Sequence, residues 1–198
     1  MKFSVIFHDF AQSSIMHLVR YYGNPRTVIE IGVFEGNTTF NMTDQFGRYN
    51  NEYKHYAIDP FGVSDDLPEN VVDDAGKQFV ENLESYELKD RIEFLNTTSS
   101  KGLVELINRG VKADLIYVDG DHRAQTVLED MVLGFQALAV GGIMLCDDCV
   151  SWKHTDNKIS KLQASPKLAV DAFVHCNWDR IEMLTLPNGW QTAFVRTA

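Results

Sequence analysis

Short apolar runs, each closed by glycine, aspartate or asparagine, recur along the chain at 27–32, 55–58, 91–95, 114–118 and 143–146. Runs of this length, bounded by turn-forming residues, predict strands buried on both faces. Between them the period lengthens to that of a helix. Ile15, Leu18, Val19 and Tyr22 share one face of a predicted helix over 11–22, and further helices are predicted at 38–46, 77–86, 100–108 and 124–138. The helix at 124–138 carries Val127, Leu128, Met131, Val132, Phe135 and Leu138 on one side. Pro166 suits the first turn of a last helix, 166–175. Residues 180–184 and 190–196 alternate and are joined through Pro187-Asn188-Gly189, which predicts an antiparallel hairpin. Residues 3–7 read as a short strand or an irregular arm. The stretch 60–76, rich in Pro, Gly and Asp, reads as a loop or lid, and 149–163 as a second loop. Strands alternating with crossover helices predict an α/β fold. Its sheet has five parallel strands and a closing hairpin, seven in all, with helices on both faces. A chain of 198 residues suggests a single domain, 1–198.

In such a sheet, ligands sit outside the carboxyl ends of the strands. Those ends carry Glu30 and Gly32, Asp59, Asp119 and Asp121, and Asp147 and Asp148. The first strand runs into a glycine turn and a helix start in TVIEIGVFEGNTT, the arrangement that cradles nucleotide-like ligands. A dinucleotide fingerprint would need glycines at 32, 34 and 37, but Phe34 and Asn37 stand there, and no phosphate-binding Gly-Lys-Ser/Thr follows. What remains is E-x-G-x-x-x-G, formed by Glu30, Gly32 and Gly36. By itself it also fits an ordinary strand–turn–helix. Asp59, 23 residues past Gly36, could accept both hydroxyls of a ribose or simply cap the turn before Pro60. Asp119, Asp147 and Asp148 lie on neighbouring strand tips. Three carboxylates this close repel unless a cation sits among them, and an all-oxygen set favours Mg²⁺, Ca²⁺ or Mn²⁺ over zinc. Asp147 and Asp148 alone would fit a loop cap equally well.

Composition narrows the ligand. The net charge of −10 and pI near 5.0 argue against nucleic acid and suit a neutral or cationic small molecule. Three cysteines, an odd number, imply no disulfide framework. The N-terminus lacks a long apolar region and cleavage site. The most apolar stretch, 132–146, is broken by Gln136 and Gly141-Gly142 and is shorter than the ~20 residues of a membrane span. The expected location is cytoplasmic, away from membranes. Cys146 and Cys149 form C-x-x-C. Zinc would need two more ligands, for which His154 and Cys176 are available, and Asp147 and Asp148 oppose a reactive thiolate, so Cys146 is expected to be a buried strand residue. Phe61 and Trp152, on the two loops, could stack on a ring or simply pack. His8, His17, His55 and His175 show no ligand spacing.

Taken together, IEIGVFEGNTT, AIDPF, DLIYVDGDH and GGIMLCDD resemble the metal-dependent sugar and macrolide O-methyltransferases typified by macrocin O-methyltransferase, within the class I (Rossmann-like) S-adenosylmethionine (SAM) methyltransferases. Catechol O-methyltransferase is similar but more distant. The resemblance spans roughly 27–148, and D-G-D-H followed by D-D is its most discriminating part. It implies a divalent ion, such as Mg²⁺, held by Asp119, Asp147 and Asp148. It implies Asp121 as the base, with His122 as the rival because an imidazole titrates near neutrality. Glu30, Gly32, Gly36, Thr38, Asp59 and Asp119 match cofactor positions, and Thr98 and Ser99 match loosely where the adenine edge is held. The chain is shorter at its N-terminus than typical members, and a homo-oligomer is compatible with it. The expected activity is SAM-dependent O-methylation of a small hydroxylated molecule, with a sugar or glycosylated metabolite favoured and a catechol-like phenol next. The alternatives are a carboxylate-metal hydrolase on the same frame and a non-catalytic SAM-binding domain.

Overall fold

Apolar residues at alternate positions of the central strands face two different cores. In β4 (Ala113–Val118), Leu115 and Tyr117 pack on one side of the sheet while Ile116 and Val118 pack on the other. Burial on both faces requires helices above and below. The computed structural model describes residues 1–3, 9–62, 69–149 and 165–198. Residues 4–7 of the expected arm, with His8, and nearly all of the second loop with Trp152 and His154, lie outside the described residues. Seven strands form one sheet in the order β3-β2-β1-β4-β5-β7-β6. β1 (Thr27–Ile31), β2 (Lys54–Ile58), β3 (Ile92–Leu95), β4 and β5 (Leu138–Cys146) are parallel. β7 (Thr192–Arg196) runs antiparallel to both β5 and β6 (Ile181–Leu184). The expected five parallel strands and closing hairpin are thus present. The strand order reverses between β1 and β4, where such sheets open a ligand crevice.

Helices α1 (Asp9–Tyr22), α2 (Asn37–Met42) and α3 (Glu69–Ser85) cover one face. Helices α4 (Ser99–Asn108), α5 (Ala124–Ala137) and α6 (Pro166–Cys176) cover the other. Two boundaries differ most from the sequence expectation. The loop expected to run to 76 is helical from Glu69, because Ala75, Phe79 and Asn82 fall on one buried face despite the acidic residues around them. Strand β5 begins at Leu138, directly after α5, and takes up Gly141-Gly142 as an irregularity instead of a preceding turn. Gly141 has φ +85°, and a Cβ at Gly142 would lie 2.9 Å from the Ala113 carbonyl oxygen, so this kink against β4 depends on glycine. Among the described residues no helix is long and apolar enough to cross a membrane.

Candidate active site

The parallel ladder continues past the strand ends. Asp59 N–H donates to Leu95 O, Gly32 N–H to Ile58 O, Asp119 N–H to Ile31 O and Asp147 N–H to Val118 O, at 2.9–3.3 Å. The tips of β2, β1, β4 and β5 therefore stand side by side. This places Gly32, Asp59, Asp119 and Asp147 on one rim, as the topology predicts.

The β1–β2 half is shaped by backbone. Gly32 (φ +85°) and Gly36 (φ +86°) are both left-handed, and Phe34 joins them at φ +51°. A Cβ at Gly32 would fall 2.0 Å from the Asp119 carbonyl oxygen, and one at Gly36 would strike the rings of Phe40 and Phe79. The glycines are thus needed for packing between strand tips and under α2 as well as for the turn. Asp59 fastens the bend. Its Oδ2 accepts from Val33 N–H (2.8 Å) and Phe34 N–H (3.1 Å), and its Oδ1 from Phe61 N–H (2.9 Å). Of roughly four acceptor positions on a carboxylate, three are used by the described residues. Glu30 does not line the rim. It is buried, its Oε2 accepting from Thr39 Oγ1 (2.6 Å) and lying 2.9 Å from His55 Nε2, while His55 Nδ1 meets Tyr53 Oη at 3.0 Å. Glu30 therefore seats α2 beneath the glycine turn, and His55, which has no ligand spacing in the sequence, is its partner. Thr38 lies in the first turn of α2. Thr98 caps α4 in extended conformation and Ser99 opens it. Phe61 packs on Phe79 and Phe94, with centroids 5.8 and 5.3 Å away.

The β4–β5 half is built from side chains. Asp119, His122 and Asp148 each offer a ligand atom, all within 4.8 Å of one another, and His122 Nε2 lies 2.9 Å from Asp148 Oδ2. Asp148 takes φ +53°, a left-handed conformation that aspartate tolerates better than most residues. Its amide donates to Asp147 Oδ1 at 2.7 Å. Asp147 Oδ2 accepts from the Gln191 amide (2.8 Å) and, very closely, from the Tyr117 hydroxyl, which also lies 3.0 Å from Asp119 Oδ2. Burial, reinforced by Asp147 and Asp148, holds the Asp119 carboxyl well above the usual carboxylate range against the pull of His122 and Tyr117. Burial also raises Asp147, opposed by the Tyr117 and Asp148 hydrogen bonds. Asp121, the expected base, is engaged elsewhere. Its oxygens accept from Arg123 N–H (3.0 Å), Arg123 Nε (2.8 Å) and Thr126 Oγ1 (2.9 Å), a brace at the start of α5.

Behind this half, Asp130 on α5 is 1% exposed, and neither of its oxygens has a hydrogen-bond partner among the described residues. Burial pushes it up to about 7, although the Ser99 hydroxyl is close enough to favour its charged form. Cys146 and Cys149 are free, buried thiols, which burial raises, Cys149 to about 11; neither resembles a reactive thiolate. Tyr117, Gln191, His55 and Asp130 were not singled out by spacing. Only the placement of Tyr117 two residues before Asp119, which puts both on one side of the strand end, hinted at any of them.

The fold has known counterparts. SAH-bound methyltransferase PaMTH1 of Podospora anserina matches with TM-score 0.66 at 17% identity, over 94% of this chain and 78% of that one. The O-methyltransferase from Bacillus cereus in complex with SAH gives 0.67 at 17%, over 96% and 84%. MycE methyltransferase from the mycinamycin biosynthetic pathway, solved with Mg, SAH and mycinamycin VI, gives 0.60 at 18%, over 97% of this chain but 50% of its own length. At such identities the likeness shows the fold, that of a class I Rossmann-like methyltransferase. No curated protein matches in sequence. The profile of a methyltransferase domain matches residues 29–149, from the middle of β1 to just past Asp148, and the chain belongs to that methyltransferase domain family.

Proposed function

We propose that this protein is a SAM-dependent methyltransferase that transfers the sulfonium methyl to an oxygen of a small hydroxylated molecule, with a divalent cation assisting. A sugar or glycosylated metabolite is the favoured acceptor, and a catechol-like phenol is second. The observation that carries the reading is the convergence of Asp119, His122 and Asp148, with ligand atoms within 4.8 Å of one another, beside the Gly32–Gly36 bend. MycE, which shares the fold, was solved with Mg and SAH together.

The Gly32–Gly36 bend, Thr38, the remaining acceptor position on Asp59, and Thr98 and Ser99 would hold SAM, which supplies a methyl group on a positive sulfur. Asp119 and Asp148, with Asp147 alongside, would hold the divalent ion, whose chemistry is to lower the pKa of a bound hydroxyl and fix its position. The donor set fits: two carboxylates in close approach, one of them raised by burial and by its acidic neighbours, gain most from a cation. His122 is the better proton acceptor, because Asp121 is paired with Arg123 and Thr126. If Nε2–H donates to Asp148, the proton goes to Nδ1. Attack of an oxygen anion on a sulfonium cancels both charges, so a rim that excludes water lowers the barrier. Holding the acceptor in line supplies the rest of the rate.

Titration calorimetry with SAM, with and without Mg²⁺, tests this reading, alongside turnover in EDTA. SAM should bind with micromolar-range affinity, Asp59→Asn should weaken it about tenfold or more, and EDTA should stop turnover. Turnover that survives EDTA removes the cation from the mechanism, and a failure to bind SAM removes the whole reading in favour of a hydrolase. SAM binding with no transfer to any hydroxyl would leave a binding domain.

A further inference from the structure

We propose that Tyr117 and Gln191 are positioning residues of the cation site, acting through Asp147, and that the C-terminal hairpin is therefore a working part of that site. The inference rests on the cation-assisted reading above.

Asp147 Oδ2 receives two hydrogen bonds, from the Tyr117 hydroxyl and from Gln191 Nε2, while Oδ1 receives one, from the Asp148 amide. A carboxylate oxygen has two lone pairs, so the described residues fill Oδ2 and leave Asp147 one acceptor position, on Oδ1. The clamp thus decides which oxygen Asp147 can offer. Both donors are well placed to hold it. Tyr117 is 1% exposed and Gln191 6%, and a buried side chain with few rotamers open to it fixes its partner in turn. Tyr117 also touches Asp119, so a single hydroxyl spaces the carboxylates of two neighbouring strand tips.

Gln191 belongs to neither tip. It arrives from the turn before β7, beyond the region 29–149 that the family shares. The turn is itself anchored: Cys149 N–H donates to Trp190 O at 2.7 Å, and Asn188 Nδ2 donates to Ser14 Oγ of α1 at 2.8 Å. Pairing of Cys146 with Thr192 places Gln191 immediately beside Asp147. The hairpin thereby sets Asp147 from outside the strand that carries it.

Mn²⁺ binding, read by electron paramagnetic resonance titration without turnover, tests the proposal. Tyr117→Phe removes one oxygen atom and Gln191→Met removes the amide at nearly constant volume. Each should weaken Mn²⁺ binding by about tenfold, the usual scale for a group that orients a metal ligand, while SAM affinity stays within about twofold. In an Asp147→Asn background, Gln191→Met should not weaken binding more than about twofold further, because the residue it acts through has already been changed. Wild-type Mn²⁺ affinity in both single variants overturns the inference and leaves the cation-assisted reading standing. A Gln191→Met loss that multiplies in the Asp147→Asn background also overturns it, since it would mark a general effect on packing. A wild-type protein that binds no Mn²⁺ overturns both. Should Tyr117→Phe fail to fold, Gln191→Met decides alone.

Discussion

The two halves of the rim solve the same problem, holding a small ligand at strand ends, by different means. On the β1–β2 side the chain's own amides do the shaping: Asp59 accepts three backbone N–H groups, and two left-handed glycines let the turn pass close to its neighbours. Of roughly four acceptor positions on Asp59, backbone amides of the described residues fill three before a ligand arrives. On the β4–β5 side, like charges are pressed together by Tyr117, Gln191 and a left-handed Asp148, and burial raises both Asp119 and Asp147 above their ordinary range. That half stores repulsion that a cation can relieve. A backbone-built site tolerates changes of side chain around it, whereas a site built on crowded charges responds to the loss of any one of them.

The sharpest way to break the contrast is to neutralise the crowded half. Asp119→Asn combined with Asp148→Asn should lower kcat by about 10³-fold or more, several kcal/mol of barrier, while SAM affinity measured by calorimetry changes less than about threefold. A comparable loss of SAM affinity would mean the halves are not separable. Next in size is Gly32→Ala, which acts where they touch. Its Cβ would meet the Asp119 carbonyl at 2.0 Å from a φ of +85°, so urea unfolding should show a loss of roughly 4 kcal/mol, with both SAM and cation binding impaired. The smallest effect concerns the buried carboxyl behind the crowded half. Asp130 stands at about 7 in the fold against 3.8 ordinarily. Between those values the folded protein keeps a proton that the unfolded chain has lost, so stability from this group falls as pH rises from about 4 to about 7. Asp130→Asn keeps the group neutral. At pH 8 it should therefore be more stable than the wild type by roughly 2 kcal/mol, with the advantage shrinking as the pH falls through that window. Parallel pH–stability curves for the two proteins would refute the assignment.

The backbone-built half was the more legible in the sequence, because glycine spacing and a strand-end aspartate are local signals. Gly32, Gly36 and Asp59 sit where their spacing put them. The convergence of Asp119 and Asp148 followed from strand alternation alone. The supporting contacts were not legible. Tyr117 reads as one more apolar strand residue, and only its hydroxyl, at the far end of a buried ring, reaches the carboxylates. Gln191 lies 44 positions from Asp147 and meets it only because β7 returns beside β5. Asp121 illustrates the reverse: its motif position suggests chemistry, yet Arg123 and Thr126, its neighbours on the α5 side, claim its oxygens. The start of α3 was hidden because Asp73, Asp74 and Gly76 look like loop residues, although Gly76 is where α3 makes room for the Phe61 ring, 2.7 Å from where a Cβ would stand.

The buried Glu30 has a consequence for how the helix beneath the glycine turn can lie. Only its Oε2 is partnered among the described residues, and the partner on α2 is the hydroxyl of Thr39. Successive residues of a helix are about 100° apart around its axis, so sliding α2 by one residue would swing Thr39 out of reach and leave the acid with His55 as its remaining partner among the described residues. The acid therefore acts as a key in a lock: it admits α2 in a single orientation, and with it a single shape for the turn above.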